Sequence, residues 1–555
     1  MGHTQTWEFD VAEWCTSLLG RFAMRRVVLL FSLVVALAAG GQTGAPSGTF
    51  SFDGKQWWDY VKVLADDNME GRNTGSDGER RAEAYVVEQV KSSGLQPAGV
   101  NGFYQPVKLV ESKLDEVNSS FALVKDGKTD PLTLGDDLIL SARLDGGEVE
   151  APLVFVGYGL KVPEKNYDDL AGLNLKGKVA VIFSGSPSSI PTELASHAQS
   201  TAERWKALKA AGAVGVISIP NPKAMDIPWD RIKGNRLQAS MRLAEVNENA
   251  GEKVAAYFNP ASAAKLFEGS GHSFEEISGL GANREAMPRF ELKVSVRVKT
   301  AIERKEIESA NVVAKLIGSD AKLKNEYVVV SAHIDHLGMG EPVNGDRVYN
   351  GAMDNGSGSA LLLDLARSFK EHPEKLKRSV LFVWVTGEEK GLLGSRYFGT
   401  HPTVPRQAMV ADINTDMFLP IVPLKLLTAF GVNESTLGDE LKKVASTWNV
   451  QVQPDPQPLR NIFIRSDQYS FVRVGVPSIM FMVGSPEDPV LEKWLEERYH
   501  GRADDTNQPV DLKSAATFED VARALVLDVA NAGVKPEWKA DSFFKRYATE
   551  PDLGK

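Results

Sequence analysis

Five side chains able to bind transition metals stand in the second half of the chain: His333, Asp354, Glu389, Asp416 and His500. Imidazole and carboxylate groups are donors that zinc accepts. Four of the five lie close to the ends of apolar runs. His333-Ile334-Asp335 follows residues 327–332, and Asp354-Asn355-Gly356 precedes a helical stretch. Gly387-Glu388-Glu389 follows 379–386, and Asn414-Thr415-Asp416 closes 408–415. His500 lies far downstream, beside Tyr499 and ahead of Asp504-Asp505-Thr506. A pair of ions about 3.5–4 Å apart, sharing one carboxylate and taking two further ligands each, needs five donors. A single ion would leave two carboxylates unexplained.

Glu388 has a different task. Neighbouring residues at a strand end point in different directions, so Glu389 can bind metal while Glu388 faces water. A zinc pair brings the pKa of its water toward about 7, where a nearby carboxylate can take the proton. The same group can return that proton to a leaving amine. Asp335 is placed to accept the other ring N–H of His333 and fix its tautomer. Tyr499 is a candidate donor to a developing oxyanion. Taken singly, each feature has an ordinary reading. Asp354-Asn355-Gly356-Ser357 is also a turn and helix cap, Glu388-Glu389 a solvated pair, and Tyr499 a packing residue. His336 and His401 read as ordinary histidines. The five ligand types, four of them near strand ends, carry the metal reading together.

The elements that would position them alternate between strand and helix. Strands are expected at 311–317, 327–332, 379–386, 408–415 and 477–482, with helices at 357–369, 392–398 and 517–532. Near-continuous apolar strands separated by helices predict an α/β fold, a mostly parallel mixed sheet flanked by helices on both faces. In such sheets, ligands bind beyond the carboxyl ends of the strands. The middle of the chain has another texture, with short β-rich runs at 151–160, 178–185, 213–220 and 289–300 and a helix at 202–211. It reads as a separate, smaller α/β module at 137–295. The expected organisation is an extension and linker at 1–48, a first catalytic segment at 49–136, the module at 137–295, and a second catalytic segment at 296–555.

The 555 residues are 43% hydrophobic and 25% charged, values of a globular protein with more than one domain. A net charge of −10 without a basic stripe argues against a nucleic-acid partner. Arg25 and Arg26, the apolar run 27–39 and the small residues after it describe a secretory signal peptide, with Met24 as a plausible start. The run is shorter than the roughly 20 residues a spanning helix needs. The expected product is exported, periplasmic or secreted, with no stable membrane insertion after signal removal. The only cysteine, Cys15, precedes that run, so the processed chain would hold no thiol.

At the segments AHIDHLG (332–338), GAMDNGSG (351–358), TGEEKGLLGS (386–395), NTDM (414–417) and YH…DDT (499–506), the chain resembles the dizinc aminopeptidases of peptidase family M-28. The segment LADDNMEGRNTGSDGERRAEAY (64–85) is similar to that family's entry into its catalytic domain. The resemblance implies two zinc ions per chain, held by His333, Asp354, Glu389, Asp416 and His500 with Asp354 bridging. It implies Glu388 as general base, Asp335 as the orienter of His333, a cis peptide at Asp354–Asn355, and a peptide substrate with a free N-terminus. VFVGYGL, YDDLAG and LKGKVAVIF resemble an inserted protease-associated domain, which would cover the cleft and limit substrate size. The chain departs from some relatives in lacking a cysteine near the substrate pocket. Two other readings compete. A dizinc carboxypeptidase or dipeptidase would need a cationic clamp, for which Arg465 is the candidate. A non-enzymatic, receptor-like binding module would be expected to lack ligands, and all five are present here. Met417, Phe418, Phe463 and Phe471 are candidates for an apolar pocket.

Overall fold

The computed structural model describes residues 50–554 apart from positions 226 and 237. The expected signal peptide and Cys15 lie outside the described residues. The main sheet has ten strands. Its heart is four neighbouring strands, Ser379–Val385, Tyr327–His333, Met409–Asn414 and Ser478–Val483, all running in one direction. Antiparallel strands lie on both sides. Ile302–Leu316 pairs with Ser379–Val385 and then with Tyr104–Leu114, while Leu426–Phe430 flanks Ser478–Val483. The mixed sheet expected from the sequence is therefore present, with helices on both of its faces, but it is not mostly parallel, because antiparallel pairs are added on either side of the four central strands.

Side chains alternate across a strand, so a sheet covered twice needs apolar residues in both registers. Val328, Val330 and Ala332 pack into the core formed with the helices Gly358–Glu371 and Leu512–Asn531. Val329 faces the other way, toward Phe398 and Phe471 on the helices Leu393–Thr400 and Gln468–Arg473. The strand expected at 311–317 begins earlier, at Ile302. Its first half, IERKEIES, is largely exposed and held by pairing with Tyr104–Leu114, so the apolar signal is missing there.

A second sheet of eight strands has its own core, which includes Phe121, Phe155, Phe183 and Phe258. Gly147–Phe155, Val179–Phe183, Gly215–Ile219 and Val254–Phe258 are mutually parallel. Ser120–Lys125, Lys128–Leu132 and Phe290–Thr300 extend this sheet. The strand Ser240–Leu243 joins the main sheet instead, against Tyr104–Leu114. Among the described residues, no helix is long and apolar enough to cross a membrane.

Candidate metal centre

The carboxyl ends of the parallel strands bring His333, Asp354, Glu389, Asp416 and His500 together. His333 ends its strand, and its Nε2 lies 3.3 Å from Asp416 Oδ1 and 3.4 Å from Asp354 Oδ1. The other oxygen of Asp354 lies 3.2 Å from His500 Nε2, which is also 3.2 Å from Glu389 Oε2. Asp354 thus faces one imidazole with each oxygen. Apart from His500 and Asp416, which are slightly more open, these side chains are almost wholly buried.

The turn that presents Asp354 is built tightly. Gly351 has φ 60°, and a Cβ there would lie 2.1 Å from the Asp354 carbonyl oxygen and 2.5 Å from the His336 ring. The Asp354–Asn355 peptide is cis. Asn355 Nδ2 donates to the Thr415 carbonyl at 2.9 Å, tying the turn to the strand end that carries Asp416. Asp504, buried, accepts the N–H groups of Met353 at 2.9 Å and Asp354 at 3.0 Å.

Asp335 is fully buried behind His333. Its carboxylate accepts the Thr74 hydroxyl at 2.8 Å and the Glu388 N–H at 3.0 Å. The nearer partner of His333 Nδ1 is the Asp335 main-chain carbonyl, at 3.1 Å, with the carboxylate at 3.8 Å. Asp335 therefore reaches the ring through its backbone and the general-base candidate through its side chain. Arg72, also buried, donates to the carbonyls of Ile334, Asn350 and Gly351, joining the loops that hold His333 and Asp354.

Glu388 stands 4.0 Å from His333 Nε2, on the cavity wall shared with Asp354, Asp416 and Tyr499. Burial raises its pKa well above the usual carboxylate range; His333 opposes this, while Asp416 and Glu389 add to it. Burial alone would lower the His500 pKa, but Glu389 and Asp354 carry it up to about 10. His333 is likewise raised by Asp416 and Glu388 against its burial. A buried carboxylate cluster that draws protons onto its imidazoles is short of positive charge. A divalent cation replaces such protons when imidazole and carboxylate become ligands. The donor set fits: ligand atoms of His333, Asp354 and Asp416 lie within 4.8 Å of one another.

A second trio within that distance is His336, Asp354 and Glu389. His336, set aside in the sequence as an ordinary histidine, is fully buried, with Nδ1 2.7 Å from Glu389 Oε1. The signal was its place three residues after His333. Thr74 and Arg72 in 64–85 and Asp504 in 499–506 support the site, although nothing in their local sequence marks them for it. Tyr499 lines the cavity, and its hydroxyl accepts a hydrogen bond from Arg465 Nη2 at 3.2 Å. Of the four apolar pocket candidates, Met417 lines the cavity, whereas Phe418, Phe463 and Phe471 are buried in the core.

Residues 311–526, which contain all five ligand candidates, match Peptidase family M28. Carboxypeptidase Q of Xenopus laevis is 29% identical over 133 residues, 23% of this chain and 26% of that protein. Aminopeptidase YwaD of Bacillus subtilis (strain 168) is 26% identical over 205 residues, covering 36% of this chain and 42% of its own. The chain thus spans less than half the length of these curated relatives. The aminopeptidase from Aneurinibacillus sp. strain AM-1 matches 86% of this chain and 94% of its own at a TM-score of 0.54 and 20% identity, a likeness of fold.

Proposed function

We propose that this protein is a zinc-dependent exopeptidase that hydrolyses the N-terminal residue from peptides. The observation that carries the proposal is the double-faced Asp354, 3.4 Å from His333 through one oxygen and 3.2 Å from His500 through the other. His333 and Asp416 would complete one zinc site, and Glu389 and His500 the other, with Asp354 shared. When bound, the ions would polarise the scissile carbonyl and acidify water enough for it to lose a proton near neutrality. Glu388 takes that proton and delivers it to the leaving amine. Burial holds the Tyr499 phenol well above its usual pKa, so it keeps its proton and can donate to the carbonyl oxygen as charge develops there. Met417, Leu419, Met480 and Met482 make one wall of the cavity apolar, suiting an apolar first side chain. The carboxylates of Glu388 and Asp416 on the same cavity suit its free ammonium group.

Asp354→Asn tests the reading. It should lose both zinc retention and turnover of aminoacyl anilides, by at least about 100-fold in kcat/KM. Retention of two ions and of activity would refute it. The carboxypeptidase or dipeptidase reading is favoured by one observation, Arg465 on the cavity wall beside Tyr499. Rapid cleavage of N-blocked peptides would select it; cleavage restricted to free amines supports the aminopeptidase. We further propose an exported protein whose second sheet belongs to an inserted protease-associated domain that limits substrate size. Its removal would then widen the range of peptide lengths cleaved.

A further inference from the structure

The helix Trp229–Asn235 belongs to the segment between two strands of the second sheet, Gly215–Ile219 and Val254–Phe258. It is anchored there by Trp229, whose ring stacks on Tyr257 and whose Nε1 donates to the Gly135 carbonyl at 2.9 Å. From this anchor, Arg231 reaches the loop that carries Tyr499 and His500. Arg231 Nη1 donates to the Tyr499 carbonyl at 2.6 Å, and Nη2 donates to the Glu496 carbonyl.

The Glu496 carbonyl is in the last turn of the helix Pro489–Glu497, and the Tyr499 carbonyl lies two residues beyond its end. The last carbonyls of a helix have no partner within it, and this end of its dipole attracts a cation. His500 follows with φ 52°, in the left-handed region that side chains other than glycine seldom adopt. Downstream, the turn closes through Gly501 N–H to the Arg498 carbonyl at 2.8 Å and Asp504 N–H to the Gly501 carbonyl at 3.2 Å. Asp504 in turn holds the N–H groups of Met353 and Asp354. The loop is therefore held on one side by Asp504 and on the other by Arg231. His333 ends a strand of the main sheet and Asp416 follows two residues after another, Met409–Asn414, so neither relies on this clamp.

We propose that Arg231 is a positioning residue by which the second-sheet region fixes His500 and Tyr499, so that one half of the metal centre depends on that region and the other does not. This rests on the reading of His500 as a metal ligand. The consequence is asymmetric: losing the guanidinium loosens the Glu389–His500 half and leaves the His333–Asp416 half intact.

The test is zinc titration of the chelator-stripped, full-length protein, followed calorimetrically, for the wild type, Arg231→Ala, Arg231→Lys and Arg297→Ala. Arg297 pairs with Glu150 on the exposed surface of the second sheet and serves as the control. Arg231→Ala should bind its first zinc as the wild type does and its second about 10–100-fold more weakly, the scale for groups that support metal ligands. Arg231→Lys, which keeps one donor and the charge, should fall between, and Arg297→Ala should match the wild type. Wild-type affinity for both ions in Arg231→Ala, or equal weakening of both, would overturn the proposal. If Arg231→Ala does not fold, two wild-type affinities in Arg231→Lys with unchanged hydrogen exchange at 496–501 would overturn it. A wild-type chain that takes up no second zinc would refute the assignment of His500 itself, and the proposal with it.

Discussion

Each of the two sheets contains four adjacent parallel strands, and only one set carries chemistry. The strands themselves are alike: YVVVSAH and SVLFVWV in the main sheet, VAVIF and GVISI in the second, are almost uniformly buried. The difference begins where the strands stop. In the main sheet the chain turns through His333, Asp335, Glu388, Glu389 and Asp416. In the second it turns through Ser184-Gly185-Ser186-Pro187, Pro220-Asn221-Pro222 and Asn259-Pro260. A parallel sheet offers a location beyond its carboxyl ends. Side chains at the turns decide whether that location reacts or merely reverses the chain.

The sharpest way to break this contrast is at Glu388. Glu388→Ala should lower kcat by at least about 100-fold, the scale of a lost general base, while zinc content measured by atomic absorption stays at the wild-type level. Near-normal turnover would mean that the strand-end carboxylate does no proton transfer, and the main sheet would lose its distinction. Loss of metal would instead make Glu388 a ligand.

A smaller effect is expected one layer out. Asp504 uses both oxygens to receive the N–H groups of Met353 and Asp354. Asp504→Asn keeps the shape but turns one acceptor into a donor facing an N–H. Zinc affinity should fall by about 10–100-fold, measured by competition with a chromophoric chelator. An unchanged affinity would show that the Asp354 turn holds itself.

These two residues also mark how far the sequence could be read. Glu388 was legible because it follows an uninterrupted apolar run, so its position at the end of a buried strand could be inferred from periodicity alone. The same logic located His333, Glu389 and Asp416. Asp504 stands in a polar loop, DDT, where acidic residues ordinarily form turns; its role exists only because the loop folds back 150 residues onto Met353 and Asp354. Thr74 and Arg72 are of the same kind, polar residues in a Gly- and Asn-rich loop. Strands with one exposed face were harder still. The first half of Ile302–Leu316 carries alternating charge, and the pairing of Ser240–Leu243 with Tyr104–Leu114 joins short segments that have no local mark.

Thr74 gives a finer test. Its hydroxyl donates to the Asp335 oxygen that does not receive the Glu388 N–H. Thr74→Val preserves the shape and removes one hydrogen bond to a charged acceptor, worth about 1.5–3 kcal/mol at most. Part of that should appear as a several-fold drop in kcat with KM little changed. A change confined to KM would place Thr74 in substrate binding instead of in support of Asp335 and Glu388.

The smallest effect at neutral pH is expected where the two regions meet. His197, on the helix Thr192–Gln199, is buried with Nδ1 2.7 Å from the Tyr469 hydroxyl and Nε2 3.2 Å from that of Tyr547. Burial, helped by Arg473 and Arg546 and opposed by Asp552, lowers its pKa to about 3. An unfolded histidine titrates near about 6.5. Between those values the unfolded chain binds a proton that the folded chain refuses, so stability rises with pH across the window. The contribution is complete above about 6.5 and is lost as pH falls toward 3, with a slope of at most about 1.4 kcal/mol per unit. Urea unfolding at pH 7 and pH 5 should therefore show a larger loss for the wild type than for His197→Gln. Equal losses would mean that His197 takes up its proton in the folded state as readily as in the unfolded chain, and that burial at this contact does not hold it neutral.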